Sequence, residues 1–258
     1  MKRFRTEQNG IISDNYYSKE ISNNGCIYFY GFPATLGNNC LTDELIIRNL
    51  LVTQPHYPGT YDSVGDFSPQ TSIKMVEDIV LSNKEGKTYN VKNNSKIDLP
   101  EIKYVVGNSF GCFIALRSIK YLQKVKKAIL FAPALTYGKT EEPSGFKESG
   151  LKFLEYVKRS RPFTYRLDDE KKWRDFYDGK MNICIDRQIN TGLEEVVCVV
   201  GSNDGSFNLD ELKRNYSKII NQCIGKEVLS KLIIVEGGKH SISTLLNDEV
   251  IDELNKLK

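Results

Sequence analysis

The sequence predicts an α/β fold: a mostly parallel central sheet of about seven or eight strands, flanked by helices. Three observations predict it. Short apolar runs bounded by turn residues alternate with stretches in which apolar residues recur every three or four positions, the pattern expected when each strand is followed by a helix that packs on the sheet. The runs come at regular intervals. The chain has 258 residues, 40% of them hydrophobic, with 12 Phe, 14 Tyr and one Trp, enough to bury a sizeable core in one large domain or two modest ones.

An antiparallel pair is expected within residues 2–21, ahead of six core strands. The first core strand is Cys26–Phe32 (CIYFYGF). Thr42 or Asp43 then opens a helix carrying Leu45 and Ile46. Leu50–Gln54 is the second strand; Ser68-Pro69 starts a helix whose Ile73, Val76, Ile79 and Val80 share one face. Tyr104–Val106 is followed by Cys112, Leu116 and Ile119 at helical spacing, and Ala128–Phe131 (AILF) is the fourth strand. Val196–Val200 (VVCVV) leads through Asn208, a helix cap, to Leu209, Leu212, Tyr216 and Ile219. Leu232–Val235 (LIIV) precedes a last helix with Leu246, Val250 and Leu254.

One connection breaks this rhythm. The stretch between AILF and VVCVV is far longer than a few-residue loop plus one helix, so residues 136–194 read as an insertion into a core formed by 1–135 and 195–258. It holds Leu151, Leu154 and Val157 at helical spacing, a break at Pro162, then Trp173, Phe176 and Tyr177. A small helical lid over the C-terminal edge of the sheet is the functional reading; a packing elaboration away from any site is the alternative.

Charge and composition narrow the partners. Lys+Arg 36 against Asp+Glu 33 leaves +3 with no basic block, which argues against nucleic acid. The basic start MKRFRTEQNG lacks the apolar region of a secretory signal, and no stretch approaches the roughly 18 apolar residues of a membrane span, so a cytoplasmic protein without stable membrane insertion is expected. Cys26, Cys40, Cys112, Cys184, Cys198 and Cys223 are scattered, with no CxxC pair, and read as buried reduced thiols, not as metal ligands.

Gly107-Asn108-Ser109-Phe110-Gly111 directly follows the YVV strand and precedes a helical run. A G-x-S-x-G at a strand-to-helix junction is the setting of a nucleophile elbow, where a sharp turn strains the serine backbone and flanking glycines avoid Cβ clashes. A serine hydroxyl needs a base to take its proton, and the base needs a carboxylate to orient it. Only His56 and His240 can supply an imidazole. Asp204, in GSNDG beyond VVCVV, and His240, in EGGKHS beyond LIIV, both stand at C-terminal strand ends, where a doubly wound sheet gathers its ligands. Asp210 and Asp62 are competing carboxylates, and His56, in a Pro-flanked loop, reads as structural or substrate-lining.

Taken in order, Tyr30-Gly31-Phe32-Pro33, Gln54-Pro55-His56-Tyr57-Pro58-Gly59, the Ser109 elbow, GSND and GGKHS resemble the landmarks of the α/β-hydrolase superfamily over nearly the whole chain. The first resembles the family's His-Gly-Phe-Pro loop, with Tyr30 in place of the histidine, a departure that leaves the loop's supporting hydrogen bonds open. The resemblance implies an α/β-hydrolase fold with a small helical lid and a Ser109, Asp204, His240 triad. It also implies an oxyanion hole made by the backbone N–H groups of Phe110 and Phe32, since Pro33 has none. No metal or cofactor is needed. Tyr30, His56, Tyr57, Trp173 and Phe176 are candidates to line a substrate pocket.

The leading expectation is a serine hydrolase cleaving an ester or thioester through an acyl-enzyme, with a small acyl compound or short peptide as partner. A peptidase or acyltransferase would use the same intermediate. A non-catalytic binder is the reading from another class, and the intact triad stands against it.

Overall fold

The computed structural model describes the chain except residues 134–142, 168–169, 178–191, 207, 211, 215, 217–227 and 258, and except the side chains of 143–149. One nine-stranded sheet runs through it in the order β5-β1-β2-β4-β3-β6-β7-β8-β9. Strands β1 (Lys2–Gln8) and β2 (Ile11–Tyr17) form the expected antiparallel pair. Then come β3 (Gly25–Phe29), β4 (Leu51–Pro55), the two-residue edge strand β5 (Tyr89–Asn90), β6 (Ile102–Asn108), β7 (Lys127–Phe131), β8 (Glu195–Gly201) and β9 (Leu229–Val235). From β4 across to β9 every pairing is parallel, so the six core strands are those the apolar runs predict. Strand β5 pairs through only Tyr89 and Asn90, too short a segment to leave a periodic signal.

Every residue of β3, β4 and β7 is buried, as strands covered on both faces require. Among the described residues the helices are α1 (Cys40–Ile47), α2 (Pro69–Lys84), α3 (Phe110–Ser118), α4 (Pro143–Ser160), α5 (Glu170–Tyr177) and α6 (Asp248–Asn255). Ser68 caps α2 with a reciprocal Ser68–Thr71 capping box and Pro69 just inside, as its sequence implies. The cap of α1 differs from expectation: Asn39 accepts from the Thr42 N–H, which places Thr42 and Asp43 within the first turn. Beyond β8 the Asn208 carbonyl accepts from the Leu212 N–H, so a helical turn starts there, while Ile219 lies outside the described residues.

The first core strand stops at Phe29, so Tyr30–Phe32, expected inside it, form a loop at its C-terminal end. This matters because β4 lies on one side of β3 and β6 on the other. The chain reverses its winding there, and the crevice at such a switch point lies beyond the strands' carboxyl ends. The loop after β3 and the Ser109 turn after β6 therefore meet.

Of the stretch 136–194, residues 136–142, 168–169 and 178–191 lie outside the description. Its described residues include α4, with Leu154 and Val157 buried, and α5, with Trp173, Phe176 and Tyr177 buried. Both helices lean on the crevice: Phe153 of α4 and Trp173 of α5 pack on the Phe32 ring at 5.9 and 5.1 Å between centroids.

Candidate active site

Ser109 sits at the junction of β6 and α3 with φ 51 and ψ −117, a left-handed conformation that costs a non-glycine residue energy. The neighbouring glycines make it tolerable. A Cβ on Gly107 would lie 2.7 Å from Cys112 Cα, and one on Gly111 would lie 2.0 Å from the Phe29 carbonyl oxygen, so α3 can approach β3 and β6 only without them. The turn is pinned by the Ser109 N–H, which donates to the Phe131 carbonyl at the end of β7 (2.9 Å).

His240 and Asp204 arrive from the next two strand ends. The loop after β8 and the loop after β9 are laced together: Asn203 N–H donates to the Gly238 carbonyl (2.9 Å) and Gly237 N–H to Ser202 Oγ (2.8 Å). This brings His240 Nδ1 to 2.7 Å from Asp204 Oδ2 and His240 Nε2 to 3.0 Å from Ser109 Oγ. Burial works to raise the Asp204 pKa, but hydrogen bonds from His240 and from the Ser206 N–H (2.9 Å) outweigh it and hold the carboxyl below the ordinary aspartate value. An ionised Asp204 can only accept, so the ring proton belongs on Nδ1 and Nε2 faces the serine hydroxyl as an acceptor. The competing carboxylates go elsewhere: Asp62 pairs with Arg5 at 2.8 Å and Asp210 lies 3.9 Å from Lys213.

Ser109 and His240 open on a cavity of about 530 Å³ that Phe32, Phe110, Phe153, Phe176 and Tyr177 also line. Phe110 is the first residue of α3, so its N–H has no partner within the helix. Phe32 lines the same cavity from the loop after β3. Phe176 is thus at the cavity, whereas Tyr30, His56, Tyr57 and Trp173 are not among its lining residues and are buried in the packing around it. Tyr57 supports the loop: its hydroxyl donates to the Tyr30 carbonyl (2.7 Å) and its N–H to the Tyr30 hydroxyl (3.1 Å), while Tyr30 and Thr60 hydroxyls pair at 3.2 Å. Here Tyr30 brings its own partners in place of a histidine's.

His56 is fully buried away from this cavity, with Nε2 3.3 Å from Asp14 Oδ2. Asp14 also accepts from Arg5 Nε at 2.8 Å. Burial would raise the Asp14 pKa, but His56 and Arg5 hold it below its ordinary value. The sequence left this second imidazole–carboxylate pair unseen, because Asp14 and His56 stand 42 residues apart and meet only where β2 pairs with β4. Among the described residues no cluster of three metal-ligating side chains forms, and no helix is long and apolar enough to cross a membrane.

Solved structures with the same architecture extend over the whole chain. The chain is similar to Est1E from Butyrivibrio proteoclasticus, seen with ferulic acid bound (TM-score 0.58, 13% identity, 99% of this chain and 97% of that one). It is similar to the Pyrococcus furiosus esterase PF2001 (TM-score 0.62, 13% identity, 99% and 90%) and to the alpha/beta hydrolase GrgF from Penicillium sp. sh18 (0.60, 13%, 100% and 99%). This is the α/β-hydrolase fold. No family model and no curated protein matches the sequence. What the chain shares with other α/β-hydrolase structures is therefore backbone architecture, and the chemistry must be argued from its own residues.

Tyr165 and Tyr61 escaped the sequence reading. Both hydroxyls donate to the Ala34 carbonyl, two residues beyond Phe32 in the α/β-hydrolase loop after β3. Nothing in their local sequence marks them, since their partner is more than a hundred residues from Tyr165 in the chain.

Proposed function

We propose that the protein is a serine hydrolase that cleaves a carboxylic ester or thioester through an acyl-enzyme on Ser109. The observation that carries this reading is the unbroken chain Ser109 Oγ, His240, Asp204, with contacts of 3.0 and 2.7 Å, at the mouth of an aromatic-walled cavity. Ser109 Oγ attacks the acyl carbonyl carbon while His240 Nε2 takes its proton, and Asp204 holds the ring and steadies the imidazolium. The carbonyl π pair moves onto oxygen, where the N–H groups of Phe110 and Phe32 receive the charge; losing one such donor typically costs about a hundred- to thousand-fold in rate. When the pair returns, the C–O bond to the alcohol (C–S to the thiol for a thioester) breaks and His240 protonates the leaving group. Water then attacks the acyl carbon while His240 takes its proton, and collapse breaks the bond to Ser109 Oγ, which receives that proton as the acid leaves.

The rings of Phe153, Phe176 and Tyr177 give the cavity apolar walls suited to an apolar acyl group. The helices of 136–194 act as its cap, and the two esterases among the similar structures agree with this choice of reaction. The test is a panel of p-nitrophenyl esters of graded chain length set beside aminoacyl-nitroanilides, with fluorophosphonate labelling of wild type and Ser109→Ala. Ester turnover and labelling that both vanish in Ser109→Ala are expected. Faster amide than ester turnover would replace the reading with a peptidase, and a wild type inert to probe and panel would sink it.

A further inference from the structure

The oxyanion hole of the proposed mechanism depends on a short loop whose middle residue, Phe32, must keep its N–H aimed at the reacting carbonyl. Such donors act because they are fixed before the charge develops. Pro33, next in line, has no N–H with which to anchor the loop. The loop is held from both ends instead. At its start Tyr57 Oη–H donates to the Tyr30 carbonyl at 2.7 Å. At its far end one phenol captures both backbone groups of Ala34: the Ala34 N–H donates to Tyr165 Oη at 2.9 Å, and Tyr165 Oη–H donates to the Ala34 carbonyl at 3.0 Å.

Tyr165 belongs to the stretch inserted between β7 and β8, and it is well fixed there. It is 3% exposed, its ring meets the Phe32 ring edge-on at 5.1 Å, and the backbone on either side is stitched to the core. Tyr61 N–H donates to the Thr164 carbonyl (3.0 Å), Arg166 N–H to the Gly59 carbonyl (2.7 Å) and Phe67 N–H to the Arg166 carbonyl (2.6 Å). Burial pushes the Tyr165 pKa up, so the group stays a hydroxyl able to donate and accept together.

We propose that Tyr165 is a positioning residue for catalysis: its hydroxyl clamps Ala34 and thereby holds the Phe32 N–H where the oxyanion forms. The inference rests on the serine-hydrolase reading and adds that the inserted segment completes the oxyanion hole. Removing the hydroxyl leaves the Ala34 N–H without its partner and the loop free to shift, and a displacement of about 1 Å at a reacting centre costs on the order of a hundredfold.

The experiment compares wild type, Tyr165→Phe and Ser109→Ala in ester turnover and in inhibition by a trifluoromethyl ketone and the methyl ketone of the same chain. Ser109 Oγ adds to the fluorinated carbonyl as its proton passes to His240, leaving an oxyanion in the hole; the methyl ketone binds without that charge. Tyr165→Phe should lower kcat roughly ten- to a hundredfold with KM unchanged, and weaken the trifluoromethyl ketone by a similar factor while sparing the methyl ketone. Tyr61→Phe, which removes only the second donor to the Ala34 carbonyl, should give a smaller shift. Wild-type kcat in Tyr165→Phe, or equal weakening of both ketones, would overturn the inference and leave the hydrolase reading standing. A larger shift in Tyr61→Phe than in Tyr165→Phe would overturn the assignment of the clamp to Tyr165. Full turnover in Ser109→Ala would instead bring down the hydrolase reading, and this inference with it.

Discussion

Gly201→Ala is the sharpest test of how the Asp204 and His240 loops are held together. Gly201 ends β8 opposite Val235 of β9, and the two loops cross immediately beyond. A Cβ on Gly201 would lie 2.1 Å from the Gly238 carbonyl oxygen and 2.8 Å from the Lys239 nitrogen, where ordinary contact begins at 3.4 Å. Both obstacles are backbone, so no side chain can swing away, and the strand ends must part by about 1 Å. Lys239 is bonded directly to His240, so the opening falls on the 2.7 Å contact between His240 Nδ1 and Asp204 Oδ2 and carries it past hydrogen-bond range. An imidazole without its orienting carboxylate loses the correct tautomer, a change worth about 10⁴-fold in kcat in enzymes of this chemistry. A hundredfold loss or more is expected, since the carboxylate stays nearby, with about 1–3 kcal/mol of destabilisation from overpacking. The assay is p-nitrophenyl ester turnover beside urea denaturation. Wild-type kcat in a folded Gly201→Ala protein would refute the reasoning.

His240→Ala should reduce turnover by several orders of magnitude, whereas His56→Ala should leave the fluorophosphonate reaction at Ser109 largely intact; equal losses would mean the base is misassigned. His56→Ala should instead destabilise by roughly 2–4 kcal/mol in urea, because it leaves a cavity and strips Asp14 of one partner. At the other end of the sheet, Glu253 of α6 faces buried Lys127 at 2.6 Å. Burial would raise the Glu253 pKa, but hydrogen bonds from Lys127, Lys256 and Lys231 hold it down to about 2, against an ordinary 4.5. A depressed carboxyl stabilises the fold above its unfolded pKa, so this contribution is full above pH 4.5 and disappears as pH falls toward about 2. Glu253→Gln should flatten that part of the acid-unfolding curve and cost about 1–3 kcal/mol at neutral pH, Lys127 keeping Glu195 at 2.8 Å; an unchanged acid limb would show the network to be inert.

Much of the site was legible because its groups sit next to the strongest local signals in the chain. Ser109, Asp204 and His240 each follow an apolar strand directly, and a parallel sheet turns three such positions into neighbours without any further information. The loop after β3 was legible through Tyr30-Gly31-Phe32-Pro33, and Phe32 does line the cavity beside Ser109. The substrate-lining candidates were read less well. Tyr30, Tyr57 and Trp173 lie near the cavity in sequence terms but are buried behind it, since an aromatic ring satisfies a core as readily as a pocket.

What the sequence by itself determined is the succession of strands and helices and the residues that follow each strand, because strand length, glycine turns and apolar period act over a few positions. Only the tertiary structure decided which carboxylate His56 meets, Asp14 of the neighbouring strand β2. It also decided that Tyr165, 131 residues away, closes on Ala34. Those pairings cross from one loop or strand to another, and no local pattern records them: a hydrogen bond forms between whatever polar groups the packed backbone brings to about 3 Å.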